Sequence, residues 1–132
     1  MLYLDANFFI FALLDSTSKG QRARDIHESI AKGKKEAATS PLAIDEIMWV
    51  LARAGKRHLL RMAVEGIYAT PNLEVVAIAP TTPLTALKLM EQYKLKPRDA
   101  FHAATMKENK LTQIVTDDRD FEEVEWIRRI KL

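Results

Sequence analysis

The chain contains no cysteine. Disulfides, thiolate catalysis and cysteine-ligated zinc are excluded with it. It also has no apolar run of membrane-spanning length: the longest, Phe8 to Leu14, falls well short of the ~20 residues a bilayer demands. The N-terminus shows neither the basic segment nor the small-residue cleavage site of a signal peptide, so an intracellular, cytoplasmic protein is expected. Internal repeats, low-complexity tracts and linkers are missing as well. A chain of 132 residues is then expected to fold as one domain, residues 1–132, burying roughly two-thirds of its unfolded surface. Nor is there an excess of charge. Lys and Arg total 20 and Asp and Glu 18, a net charge of +2 that does not by itself argue for nucleic acid.

The distribution of charge is more informative than its sum. Carboxylates crowd into Asp117-Asp118-Arg119-Asp120-Phe121-Glu122-Glu123. Basic residues gather elsewhere, at Lys32/Lys34/Lys35, Arg53/Lys56/Arg57/Arg61, Lys94/Lys96/Arg98 and Arg128/Arg129/Lys131. An acidic pocket ringed by basic surface suits a phosphate-bearing polymer held near a metal. The plainer reading is that these are solvated helix faces and ends.

Along the chain, strands alternate with helices. Leu2-Tyr3-Leu4 reads as a short buried strand that meets Asp5, and the segment from Phe8 to Leu14 as a helix packed on it. Ser18 and Gln21 have capping-box spacing, and Ala23, Ile26, His27, Ile30 and Ala31 recur at helical intervals. His27 is expected to pack in the core. Glu36-Ala37-Ala38-Thr39 is a weak strand, and Ser40-Pro41 opens a helix to about Ala54 as N-cap and first-turn proline. On that helix Glu46 lies on the shoulder of the apolar face and Asp45 further toward solvent. Gly55 breaks it, and a basic helix follows from Lys56 to Tyr68. Leu73 to Ile78 is the clearest strand, Thr82-Pro83 opens another helix, and Pro97 opens the next. Asp99 falls in that helix's first turn, where the dipole favours negative charge, and Ala100, Ala103 and Ala104 allow close approach to a sheet. Gln113 to Thr116 is a strand running into Asp117-Asp118, and Val124 to Ile130 a closing strand. The alternation predicts an α/β fold with a central parallel sheet and helices on both faces, three layers in all.

Two strands thus end in aspartate and two helices carry an acid in or near their first turns. Ligands of an open parallel sheet sit beyond the carboxyl ends of its strands. If Asp5, Glu46, Asp99 and an aspartate after the fourth strand meet there, each pair at about 5 Å costs on the order of 3 kcal/mol at an effective dielectric of about 20. A divalent cation relieves that repulsion, and an all-oxygen set suits Mg²⁺ or Mn²⁺. The chemistry implied is metal-assisted phosphoryl hydrolysis. Singly, each acid is equally well read as a turn residue, a helix cap or a solvated side chain.

The chain resembles the PIN-domain ribonucleases, and in size and layout the small VapC-type toxins of toxin–antitoxin pairs. The resemblance rests on Leu4-Asp5-Ala6-Asn7, on Glu46, on Asp99-Ala100-Phe101-His102-Ala103-Ala104 and on Thr116-Asp117-Asp118-Arg119-Asp120-Phe121. It implies a sheet in the order 3-2-1-4-5 and metal binding, as Mg²⁺ or Mn²⁺, by Asp5, Glu46, Asp99 and Asp118. Asp117 stands at the motif's variable position and competes with Asp118, and Asp120 is an outer contributor. Asn7 and Thr116 match positions that support the acids. An RNA substrate, homodimerisation and an antitoxin partner are implied too, with no membrane role. Arg53, Arg57, Arg61 and Arg98 are the basic residues expected to meet RNA backbone, and His102 is expected to pack against the sheet. Trp49 and Leu59 mark the candidate dimer surface. Three other readings compete: a PIN-like module that binds RNA or protein without cutting, an RNA-processing nuclease without an antitoxin, and a phosphatase-like domain using an aspartyl nucleophile. The last lacks a second aspartate two residues after Asp5, where Asn7 stands.

Overall fold

A computed structural model describes Met1–Leu132. Five strands, β1 (Leu2–Leu4), β2 (Ala37–Thr39), β3 (Leu73–Val75), β4 (Gln113–Val115) and β5 (Arg128–Ile130), pair in parallel. Their order is β3-β2-β1-β4-β5, as the resemblance implied. Helices α1 (Ala6–Leu14), α2 (Ser18–Ala31), α3 (Pro41–Arg53) and α4 (Leu60–Ala69) pack on one face. On the other lie α5 (Thr82–Gln92) and α6 (Pro97–Glu108).

The period-2 alternation of strand side chains divides the core between the two faces. Leu2, Leu4 and Ala37 pack with Phe8, Ile47 and Leu51. Tyr3, Ala38 and Ile114 point the other way, against Leu89 of α5 and the alanines of α6. Ala100, Ala103 and Ala104 are fully buried, so α6 lies close on the sheet as its small residues predict. Because α6 feeds β4, it runs back across the sheet, and its N-terminal end stands at the carboxyl edge of the strands.

Several expected boundaries hold for the expected reasons. Ser40 caps α3, its Oγ accepting the Ala43 N–H at 3.4 Å with Pro41 in the first turn. Gly55, at φ +74°, closes the same helix in the left-handed region. Other boundaries differ. Ser18 is the first residue of α2 and not its cap; Thr17 precedes it, and the Asp15 carboxylate takes the Thr17 and Gly20 N–H groups at 3.0 and 3.2 Å. Thr82 likewise lies inside α5, buried, with its hydroxyl donating to Glu108 at 3.1 Å. The segment expected as one basic helix is a 3₁₀ turn, Arg57–Leu59, followed by α4. His27, expected in the core, is only half-buried and bonds Thr70 Oγ1 at 3.2 Å.

Strand strength is the main revision. Leu73 to Ile78, the most strand-like segment in sequence, supplies only β3, a half-exposed edge strand prolonged by one bond from the Val76 N–H to the Thr39 carbonyl at 2.8 Å. The weakest candidate, Ala37–Thr39, is fully buried between β1 and β3. Small side chains suit a strand covered closely on both faces. The closing strand is shorter than expected, Arg128–Ile130, because Val124 ends a 3₁₀ turn at Arg119–Glu123.

Candidate active site

The chain leaves β1 toward β2 on one side and returns to β4 on the other. That reversal opens a crevice between β1 and β4 at the carboxyl edge, the usual ligand position in such sheets. β1 delivers Asp5 to it and β4 delivers Thr116. Asp5 is 4% exposed and caps α1: one oxygen accepts the Phe8 N–H at 3.1 Å, the other the Thr116 hydroxyl at 2.5 Å. The Thr116 Oγ1 also accepts the Asp118 N–H at 3.0 Å, and Asp118 accepts the Asp120 N–H at 2.9 Å. Spacing the residues as threonine, any, aspartate, any, aspartate thus folds the loop after β4 into successive turns presenting Asp118 and Asp120 together.

Asp99 meets them from the first turn of α6. Carboxylate oxygens of Asp99, Asp118 and Asp120 lie within 4.8 Å of one another. Burial pushes the Asp99 carboxyl up to about 6; Asp118, Asp120 and Glu46 push the same way, and His102 opposes them. Asp5 is also raised to about 6, chiefly by burial, against the Thr116 and Phe8 hydrogen bonds and the neighbouring His102 ring. The charge of Glu46 acts on both groups, which sets all five acids in one field.

A buried hydrogen-bonded chain reaches Glu46 through the middle of the domain. Ser40 Oγ meets Tyr3 Oη at 2.8 Å, and Tyr3 Oη meets His102 Nδ1 at 2.7 Å. His102 Nε2 bonds Glu46 Oε1. One assignment of the hydrogens satisfies every atom: Ser40 donates to Tyr3, Tyr3 to Nδ1, and Nε2–H to the carboxylate. Burial raises the Tyr3 phenol well above its ordinary value, which keeps it a donor. His102 is packed in the core as expected, and in addition it fixes the orientation of Glu46.

Asp117 does not join the acids; both its oxygens bond Lys19 Nζ at 2.9 Å. Asp120, expected as an outer contributor, stands inside the cluster. Asn7 is exposed on the first turn of α1 and makes no hydrogen bond to the acids, whereas Thr116 makes two. Arg98 is next to Asp99, in a cleft with Lys96 and Phe101. Arg53 is two turns beyond Glu46 toward the opposite end of α3, over Trp49, and Arg57 and Arg61 line a separate cleft with Met48 and Val64. Sequence reading missed Lys19 and Arg119 beside the acids; the signal for Arg119 was its place between Asp118 and Asp120.

The donor set is all carboxylate, and no lysine or arginine pairs with Asp99, Asp118 or Asp120 to relieve their repulsion. Of the six ion pairs, three involve acids of this loop, and they take Asp117 once and Glu122 twice, not Asp99, Asp118 or Asp120. Such a set fits a hard divalent cation.

Fold and site together define a parallel α/β domain with an acidic, oxygen-only crevice at its carboxyl edge. The sequence profile of the PIN domain matches residues 2–127, and the chain belongs to the PIN-domain family. Ribonuclease VapC13 of Mycobacterium tuberculosis is 25% identical over 131 residues, 98% of this chain and 99% of that one. Among solved structures, VapBC2 from Rickettsia felis, bound to a DNA fragment from its promoter, superposes with a TM-score of 0.77 at 14% identity, over 99% of this chain and 98% of that one. VapC20 of M. tuberculosis, a toxin that cleaves the sarcin–ricin loop, gives a TM-score of 0.77 at 15% identity, over 96% and 97%.

Proposed function

We propose that the protein is a metal-dependent ribonuclease of VapC type, the toxin of a toxin–antitoxin pair, working in the cytoplasm. The observation that carries this is the convergence of Asp99, Asp118 and Asp120 within 4.8 Å, with Asp5 and Glu46 in the same field. The curated relative's name as a ribonuclease supports the choice of RNA.

Asp5, Glu46, Asp99 and Asp118 would hold Mg²⁺ or Mn²⁺, with Asp120 beside them. Bound there, the cation would supply an activated water and neutralise charge on the phosphodiester oxygens. The chain's own residues prepare the crevice. Thr116 clamps Asp5 and turns the Asp118 backbone inward, and His102 steadies Glu46. Burial and crowding retain protons on Asp5 and Asp99 near pH 6, which both residues would give up in holding a cation. Lys96 and Arg98, at the mouth beside Asp99, face the approaching backbone, and Phe101 offers a ring to a base.

An antitoxin partner finds support in an apolar groove of about 270 Å³ between α1 and α4, lined by Phe9, Leu13, Met62 and Ile67 with Arg24 and His27 at its polar side. An amphipathic antitoxin helix suits it. Homodimerisation is supported by Leu84, Leu87 and Met90, which form an exposed stripe along α5 at 62%, 53% and 37% exposure. Trp49 is exposed as expected, while Leu59 packs against the core. A monomer mass by light scattering at micromolar concentration argues against the dimer.

The test is cleavage of a mixed structured RNA with Mg²⁺, Mn²⁺ or EDTA, beside Asp5→Asn and Asp118→Asn. Asparagine keeps the cap at position 5 and the acceptor at 118, so both variants are expected to fold. Cutting is expected to need metal and to fall on the order of a hundredfold or more in each. Metal-independent cutting, or full activity in either variant, rejects the reading.

A further inference from the structure

Beside the acidic crevice lies a second cleft, of about 340 Å³, lined by Lys19, Asp117, Arg119, Arg129 and Lys131 and by no apolar side chain. Its place follows from the topology. Asp117 and Arg119 flank Asp118, Arg129 and Lys131 stand at the carboxyl end of the edge strand β5, and Lys19 rises from the first turn of α2. We propose that this cleft seats a backbone phosphate of single-stranded RNA next to the scissile one, an inference that rests on the ribonuclease reading.

The four cations divide into two kinds. Arg129 is held: its side chain is 9% exposed, it bonds Glu122 at 2.6 Å, and its Nη1 donates to the Thr116 carbonyl at 3.3 Å. Lys19 is held by Asp117. Two positive groups are therefore fixed before any ligand arrives, so little side-chain order is lost on binding. Arg119 and Lys131 are free: Arg119 is 83% exposed with only Glu122 at 4.0 Å, and Lys131 has no ion-pair partner. Arg119 lies between Asp118 and Asp120 in sequence and pairs with neither. The acids stay open to a metal and the cations to an anion, although the two sets are chain neighbours. A phosphodiester strand over a metal satisfies both at once.

A basic cleft on the other flank completes the path. Leu42 of α3, Lys96 just before α6, and Arg98 and Phe101 of α6 line about 410 Å³ there. With β2 and β4 on either side of β1, the two clefts bracket the acids across the edge of the sheet. A single strand crossing the crevice meets Lys96 and Arg98 before it and Arg119 and Lys131 beyond it. Aromatic and cationic groups in series are the usual means of holding a single strand without reading its sequence.

The experiment is fluorescence anisotropy with a labelled single-stranded RNA of roughly 12 nucleotides, in Ca²⁺ buffer, over a salt series. Each single-strand phosphate contact contributes about 0.7 to the slope of log affinity against log salt. The double variant Arg119→Ala/Lys131→Ala is expected to flatten that slope by about 1.4. A control, Lys34→Ala/Lys35→Ala, removes equal charge just before β2, at the amino edge of the sheet opposite the crevice, and leaves the slope unchanged. Asp117→Asn frees Lys19 and steepens the slope. Equal slopes in the two double variants overturn the proposal. Cleavage by the wild type in Mn²⁺ is scored separately. Cutting with equal slopes removes the cleft and keeps the nuclease; no cutting with the predicted slopes does the reverse.

Discussion

Asp117 and Asp118 are chemically identical neighbours, and their opposite fates come from a hydroxyl. Thr116 accepts the Asp118 N–H while donating to Asp5, which turns Asp118 into the crevice and leaves Asp117 to Lys19. That is why the sequence showed that an acid follows β4 but left open which one: the deciding partner, Lys19, is 98 residues away. Asp5 was easier to read, because a strand that ends in a carboxylate has one place to put it. His102 was read as a core residue, and its ring is buried; its bond to Glu46 could not be seen from helical spacing because the two lie 56 residues apart. His102→Ala should leave Glu46 unanchored. Mn²⁺ affinity by calorimetry is expected to fall roughly 10- to 100-fold, with about 1–3 kcal/mol lost from stability for the broken buried network. Unchanged affinity in a folded variant would make the histidine purely structural.

At the scale of elements, the joint between α1 and α2 is built on a close approach. A Cβ at Gly20 would lie 1.9 Å from the Asp15 carbonyl oxygen. Alanine gains about 1 kcal/mol of helix propensity over glycine, but the obstacle is backbone and does not swing aside. Gly20→Ala is expected to destabilise by about 1–3 kcal/mol in urea titration, as overpacking does. Because Lys19 sits in the same turn, its pairing with Asp117 is expected to loosen as well. Helices were legible because caps and breakers act locally, as Ser40-Pro41 and Gly55 do. Strands were not ranked correctly, since burial between two neighbours, and not β-branched composition, makes Ala37–Thr39 central and Leu73–Val75 an edge.

The whole molecule carries its active site as a strain on stability. The parallel sheet and its order were readable from the alternation of elements and from the family motifs, but the electrostatics of the crevice needed the folded chain. Asp5 has a folded pKa of about 6 against an ordinary 3.8. The folded state therefore holds more protons than the unfolded one between about pH 4 and pH 6, and stability falls as pH rises through that window. For the fully buried Asp5 the difference is about 2 kcal/mol at pH 7 relative to pH 4, and Asp99 adds in the same direction. Metal-free protein is expected to melt at a higher temperature at pH 5 than at pH 7. Mn²⁺ at about 100 times its dissociation constant restores about 2.7 kcal/mol at pH 7. A melting temperature flat from pH 5 to 7 in EDTA contradicts this. The Thr116–Asp5 bond, spanning 111 residues, also has a consequence in time. The first acid of the crevice is made long before the last two, and they are joined only when β4 slides in beside β1. Until that pairing forms, a growing chain holds no complete cutting centre, so the cell that makes this protein meets it unarmed at first.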